Sequence, residues 1–162
     1  MVDALAQKTP PRIDPLLLDN QLCYALYAAA HRMTKSYRPM LERLGLTYPQ
    51  YLVMLALWQD GTTPIHALAE RLQLGANAVT PLVDKLEAAG FVTRARGADR
   101  RVVFVALTEA GLRLEEKVAA AQQTVVCRTG LGDRDLVDLR QDLKDLADRI
   151  AATGAVPQDE PA

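Results

Sequence analysis

Two cysteines and a group of tyrosines carry the chemistry that this sequence offers. Cys23 is followed by Tyr27, Tyr37 and Tyr48, and the second cysteine is Cys127. Phenol hydroxyls that donate to sulfur favour the thiolate, lowering the thiol pKa and making sulfur nucleophilic toward a peroxide. A Cys among Leu22, Ala25 and Leu26 is more often a small core residue, so the tyrosines decide the reading. Four of the five tyrosines fall between positions 24 and 48, in a chain that is only 5% aromatic. Tyr27 lies one helical turn from Cys23 on the same face. On a continuous helix Tyr37 sits about 21 Å from Cys23, at 1.5 Å per residue. It is out of reach of its own thiol, but within reach across a dimer whose first helices run antiparallel. The neighbouring Leu, Met and Trp side chains favour a hydrophobic peroxide over a small polar one.

The elements that must position these groups follow from periodicity and punctuation. Residues 1–15 hold Pro10, Pro11 and Pro15 and read as a flexible arm. A helix is predicted from Leu16 to Met33, with a bend or a new helix near Pro39 and an end at Gly45. Thr47 is the predicted N-cap of the next helix, with Pro49 in its first turn. Its run to Trp58 is apolar all round, as a buried central helix requires. Thr63-Pro64 is predicted to open a helix reaching Leu72, and another runs from Ala76 to Ala89 until Gly90 stops it. Strands at Phe91–Arg96 and Arg101–Leu107 are joined through Gly97-Ala98-Asp99. A long helix follows from Thr108 to Arg128, then a glycine break, then an amphipathic helix from Asp133 to Ala152. Its stripe of Leu136, Val137, Leu139, Leu143, Leu146 and Ile150 needs a partner, and a second copy of the chain is the simplest one.

This pattern defines a mainly α fold with a small β-hairpin wing: a winged helix-turn-helix at 46–108, flanked by dimerisation helices at 16–45 and 109–152, with a disordered tail at 153–162. Two short helices around Gln73-Leu74-Gly75 have helix-turn-helix spacing, which places the second in the major groove. That pattern is weak alone, and the basic hairpin beside it strengthens it. Arg94, Arg96, Arg100 and Arg101 stand against Asp99, a local net of +3, whereas residues 131–162 carry eight acids and four bases. The overall charge of −1 is therefore no argument against DNA. A wing can carry Arg into a narrow minor groove. Asp99 and Arg101, two apart on a strand, are expected to share a face and pair.

The stretch from Asp19 to Arg128 resembles the MarR family of dimeric winged-helix repressors. The matching residues are Leu68-Ala69 before the turn, Leu86-Glu87-Ala88-Ala89-Gly90-Phe91-Val92 after the second helix, and Asp99-Arg100-Arg101 leading to Leu107-Thr108-Glu109-Ala110-Gly111. Within the family the chain is similar to the OhrR branch of organic hydroperoxide sensors. That branch carries a peroxidatic Cys near the start of its first helix and Tyr partners at the spacings of Tyr37 and Tyr48. It also has a Thr-Pro pair in the recognition helix, matched by Thr80-Pro81. The resemblance implies a homodimer on an operator, released when organic hydroperoxide oxidises Cys23. It further implies Cys127 of the other subunit as the resolving thiol, as in two-Cys members. The branch's Asp-Ser-Gly-Thr at the start of the recognition helix is replaced here by Gly75-Ala76-Asn77-Ala78. Base contact therefore falls to Asn77 and Thr80, with Pro81, Lys85 and the wing residues completing the expected DNA surface.

Other readings stay open on the residues. A lipophilic or phenolic ligand in a dimer-interface pocket would release a MarR-type repressor without any thiol. A DNA-binding protein with inert cysteines would ignore oxidant. A thiol peroxidase leaves the wing and helix-turn-helix without a role, so no enzyme is expected. His31 and His66 are candidates for pH response or DNA contact. No Cys/His cluster suggests a metal, and no cofactor is called for. The N-terminal residues carry charges and prolines where a signal peptide needs an apolar stretch, and no run is long enough to span a membrane, so a cytoplasmic protein is expected.

Overall fold

The computed structural model describes residues 14, 16–127 and 129–153, with the side chains of 123–127 excepted. The expected arm at 1–15, apart from Asp14, and the expected tail beyond Thr153 lie outside these residues. The chain forms two units, one ending at Val118 and one beginning at Ala119.

Helix α1 spans Leu22–Arg43, preceded by a 3-10 turn at Leu18–Asn20. It starts later than its apolar residues suggest. The Asp14 carboxylate accepts from the Leu16 N–H, and its carbonyl accepts from the Asn20 side chain, which holds the preceding segment in turns. The bend expected near Pro39 is absent, and Pro39 lies inside one continuous helix. Proline removes only one hydrogen bond, and the turn beyond it is held by buried Leu41 and by the Arg38–Glu42 ion pair at 2.7 Å. The helix ends in a Schellman cap: Leu46 N–H donates to the Leu41 carbonyl and Gly45 N–H to that of Glu42.

Helix α2, Tyr48–Asp60, starts at Thr47, whose N–H and hydroxyl both donate to the Gln50 side-chain carbonyl at 2.7 and 2.9 Å. Its Val53, Met54 and Leu57 are fully buried. They pack with Leu68 of α3 (Ile65–Arg71), Val79, Val83 and Leu86 of α4 (Ala76–Ala88), and Val92 and Val105 of the sheet. The all-round apolar run is thus the central helix of the core.

Thr63-Pro64 does not open a helix. It forms the two-residue strand β1, antiparallel to β3 (Val103–Leu107), and β2 (Val92–Arg96) lies on β3's other side. The residue before proline is pushed to extended backbone, and Pro64 itself, at φ −68° and ψ 147°, becomes the cap of α3. The wing therefore belongs to a three-stranded antiparallel sheet. Helix α5 runs Glu109–Cys127, and α6 runs Asp133–Thr153. Leu136 and Leu146 of α6 are half-buried, while Val137, Leu139, Leu143 and Ile150 are exposed.

The two helices around the reading turn share one capping geometry. α4 ends with Phe91 N–H on the Leu86 carbonyl and Gly90 at φ 78°. α3 ends with Leu74 N–H on the Ala69 carbonyl, but there the left-handed position is occupied by Gln73, at φ 54°. A side chain in that region costs roughly 1 kcal/mol or more, which glycine avoids. Gln73→Gly is therefore expected to raise stability by about 0.5–1 kcal/mol, net of the extra freedom glycine has when unfolded. Urea unfolding checks this, and a loss of stability would show that the Gln73 side chain contributes more than its backbone costs.

Candidate DNA interface and thiol site

On α4 the inward side is Val79, Val83 and Leu86, and Asn77, Thr80, Pro81 and Lys85 are exposed. The Asn77 side chain folds back over the helix start, so that a Cβ at Gly75 would lie 2.4 Å from its oxygen. Thr80 donates its hydroxyl to the Ala76 carbonyl at 3.0 Å, one turn back. These four residues form one solvent-facing strip on the second helix of the helix-turn-helix.

The wing departs from expectation at its tip. Asp99 and Arg101 lie in the turn between β2 and β3, not on a strand. The Asp99 carboxylate accepts from the Arg101 backbone N–H at 3.0 Å, and Val102 N–H closes the turn on the Asp99 carbonyl. Asp99 thus shapes the turn without pairing with the guanidinium. Arg96, Arg100 and Arg101 are exposed and make no ion pair among the described residues. Arg94 differs: its side chain is only 25% exposed and meets both Glu87 and Asp84 of α4.

Cys23 is exposed in the first turn of α1, and Tyr27 one turn on is exposed and stacks on His31 at 6.0 Å. The structure brings Tyr37 and Tyr48 together, ring centres 5.5 Å apart, at the other end of α1. It does not bring Cys23 to them within one chain, because α1 is continuous and separates Cys23 from Tyr37 by about 21 Å. A third ring joins the pair that sequence reasoning missed. Tyr51 lies 5.8 Å from Tyr37 and 6.0 Å from Tyr48, and only 2% of it is exposed. Its hydroxyl is buried with no hydrogen-bond partner among the described residues. The signal was present in Tyr48 and Tyr51 falling three apart on one helix. Burial, helped by the neighbouring phenols, pushes Tyr51 up to about 12, and burial raises Tyr48 as well.

Beside this cluster, a cavity of about 560 Å³ opens between His31, Lys35 and Arg38 of α1 and Thr47 and Tyr48 at the start of α2. His66 is exposed on α3. Cys127 is the last residue of α5, and its side chain lies outside the described residues. Among the described residues no group of His, Cys, Asp and Glu is arranged to hold a metal, and no helix is long and apolar enough to cross a membrane.

Two helices across a tight turn, followed by a basic hairpin on a small sheet, define a DNA-binding winged helix-turn-helix protein. The MarR family model matches residues 46–103. The organic hydroperoxide resistance transcriptional regulator of Bacillus subtilis (strain 168) is 37% identical over 140 residues, 86% of this chain and 95% of that one. The HTH-type transcriptional regulator TtmR of Methylorubrum extorquens is 41% identical over 142 residues, 87% of this chain and 73% of that one. The structure of reduced AbfR bound to DNA superposes with a TM-score of 0.70 at 29% identity, covering 83% of this chain and 94% of that one. The chain belongs to the MarR family of transcription regulators.

The buried phenol gives a pH-dependent expectation. Unfolded Tyr51 ionises near its ordinary value of 10, whereas the folded chain keeps its proton to about 12. The unfolded state then binds fewer protons, so stability present below pH 10 falls as pH rises toward 12. Tyr51→Phe removes an unsatisfied buried hydroxyl, and is expected to gain about 1 kcal/mol near neutral pH and to lose this part of the alkaline slope. Urea unfolding of both proteins across that pH range checks it. Equal slopes would mean that the phenol is solvated.

Proposed function

We propose that this chain is a redox-sensing repressor, bound to operator DNA as a reduced homodimer and released when organic hydroperoxide oxidises Cys23. The observation that carries this reading is the placement of an exposed Cys23 and a packed Tyr37–Tyr48–Tyr51 cluster at opposite ends of one unbroken helix. Two such helices packed antiparallel set each thiol against the partner's tyrosines. The exposed Leu22, Tyr24, Tyr27 and Met33 of α1 supply apolar surface for that contact. The names of the relatives agree in theme: the B. subtilis protein is an organic hydroperoxide resistance regulator, and AbfR has been solved reduced and overoxidised on DNA and with a disulfide formed.

The chemistry runs in two steps. The Cys23 thiolate attacks the distal peroxide oxygen, the O–O bond breaks, and the leaving alkoxide takes a proton to become the alcohol. Sulfur, oxidised by two electrons, is left as a sulfenic acid. The Cys127 thiol of the other subunit then attacks that sulfur, expelling water and forming an intersubunit disulfide. A small displacement of α1 across a dimer misplaces both recognition helices, since two half-sites must be met at once. Excess dithiol reverses the disulfide. The competing reading, release by a lipophilic or phenolic ligand, draws support from the 560 Å³ cavity at the α1–α2 corner, where Leu41, Leu46 and Tyr48 give an apolar wall beside His31, Lys35 and Arg38.

The test is binding of the full-length reduced protein to a duplex selected by it from a random-sequence pool, with and without stoichiometric cumene hydroperoxide. Wild type is expected to lose affinity about tenfold or more, within the usual range of allosteric coupling, and to regain it with dithiothreitol, while Cys23→Ser does not respond. Cys127→Ser is expected to respond but to form no disulfide-linked dimer on a non-reducing gel. Equal binding of wild type in all conditions removes the redox mechanism and leaves the ligand reading.

A further inference from the structure

We infer that Arg94 is a positioning residue that sets the angle between recognition helix and wing, and that it does not itself hold DNA. Arg94 sits in the middle of β2, opposite Val105 of β3 and on the same side of the strand as buried Val92. β2 is an edge strand, so an N–H pointing away from β3 has no strand to receive it. Here that N–H donates to Glu87 Oε1 at 3.0 Å, while the Arg94 Nε donates to Glu87 Oε2 at 2.9 Å. Both oxygens of one carboxylate thus grip backbone and side chain of the same residue. The Arg94 Nη2 reaches Asp84, one turn earlier on α4. Three donors on the wing meet two carboxylates on the recognition helix, and no other ion pair joins these two elements among the described residues.

The placement gives leverage. Strand β2 runs only to Arg96, so the wing tip at Asp99 stands at least about 10 Å from Arg94, three residues of strand rise and then the turn. A rotation of about 10° at Arg94 moves the tip by about 2 Å, enough to lose groove contact when the recognition helix stays seated. The charges agree with an internal role. Asp84 and Glu87 face a surface that meets a polyanion, and Arg94 offsets them, leaving Arg96, Arg100 and Arg101 as the exposed cations of the wing.

This makes a prediction opposite in sign to simple electrostatics. Removing an acid beside DNA ordinarily tightens binding, because less negative charge opposes the phosphates. With the full-length reduced protein and the same selected duplex, Glu87→Gln is instead expected to weaken binding about tenfold, the scale of losing a charge-assisted hydrogen bond. Arg94→Lys, which keeps the charge and loses the two-pronged geometry, is expected to fall similarly. In neither case should the slope of log affinity against log salt change. Asp84→Asn, at an exposed position the fold tolerates, is expected to weaken binding by a smaller factor and serves if the other variants unfold. The inference fails if Glu87→Gln or Asp84→Asn binds as well as or better than wild type. It also fails if Arg94→Lys binds as well as wild type, or if Arg94→Gln lowers the salt slope by about 0.9, the signature of a lost phosphate contact. None of these outcomes depends on Cys23, so the redox reading can fail while this one stands.

Discussion

At the root of the wing, Gly111 of α5 approaches Phe91 so closely that a Cβ there would lie 2.1 Å from the Phe91 carbonyl oxygen. Thr108 fastens both sides of that contact. Its hydroxyl donates to the Gly90 carbonyl at 2.7 Å and accepts from Gly111 N–H at 3.0 Å, and its own N–H donates to Phe91. Trp58 of α2 adds a 3.0 Å hydrogen bond to the Gly111 carbonyl. The end of the recognition helix, both strands of the wing, the start of α5 and the central helix therefore meet within a few residues. Close packing makes such a joint stiff, and the reading surface inherits that stiffness.

The other half of the problem is distance. α1 separates an exposed thiol from a phenol cluster by about 21 Å, and its length is preserved because Pro39 fails to bend it. A shorter or kinked helix would place the two groups differently on any antiparallel pair. The cluster is itself fixed by its third ring, since Tyr51 belongs to the buried core while Tyr37 and Tyr48 are only partly covered by it. The chemistry assigned to α1 thus rests on the packing of α2.

How much of this was legible in the sequence depended on how local each cause was. The start of α2 at Thr47, the stops at Gly45 and Gly90, and the central burial of α2 follow from neighbouring residues and were readable. β1 was not, because two residues become a strand only by pairing with Phe104 and Val105, forty residues away. Pro39 misled because its cost is local while the packing of Leu41 that offsets it is not. In the candidate site, the four α4 residues fell where the helical period put them. Arg94 and Asp99 did not, since composition counts an arginine's charge and cannot see the carboxylates it meets. Tyr51 went unnoticed because it looked like one more core residue in an apolar run, and its unpaired hydroxyl is visible only in three dimensions.

The sheet that carries the wing has two edges, and neither can grow. β1 is two residues long and one of them is Pro64, which has no N–H to offer. On β2 the central outward N–H is already taken by Glu87, and charged side chains at 94 and 96 flank it. Exposed strand edges are where folded proteins recruit one another into aggregates. A small wing held out from its domain to reach DNA is a hazardous place for such an edge, and here proline and carboxylate together make it inert, leaving association between chains to the helices.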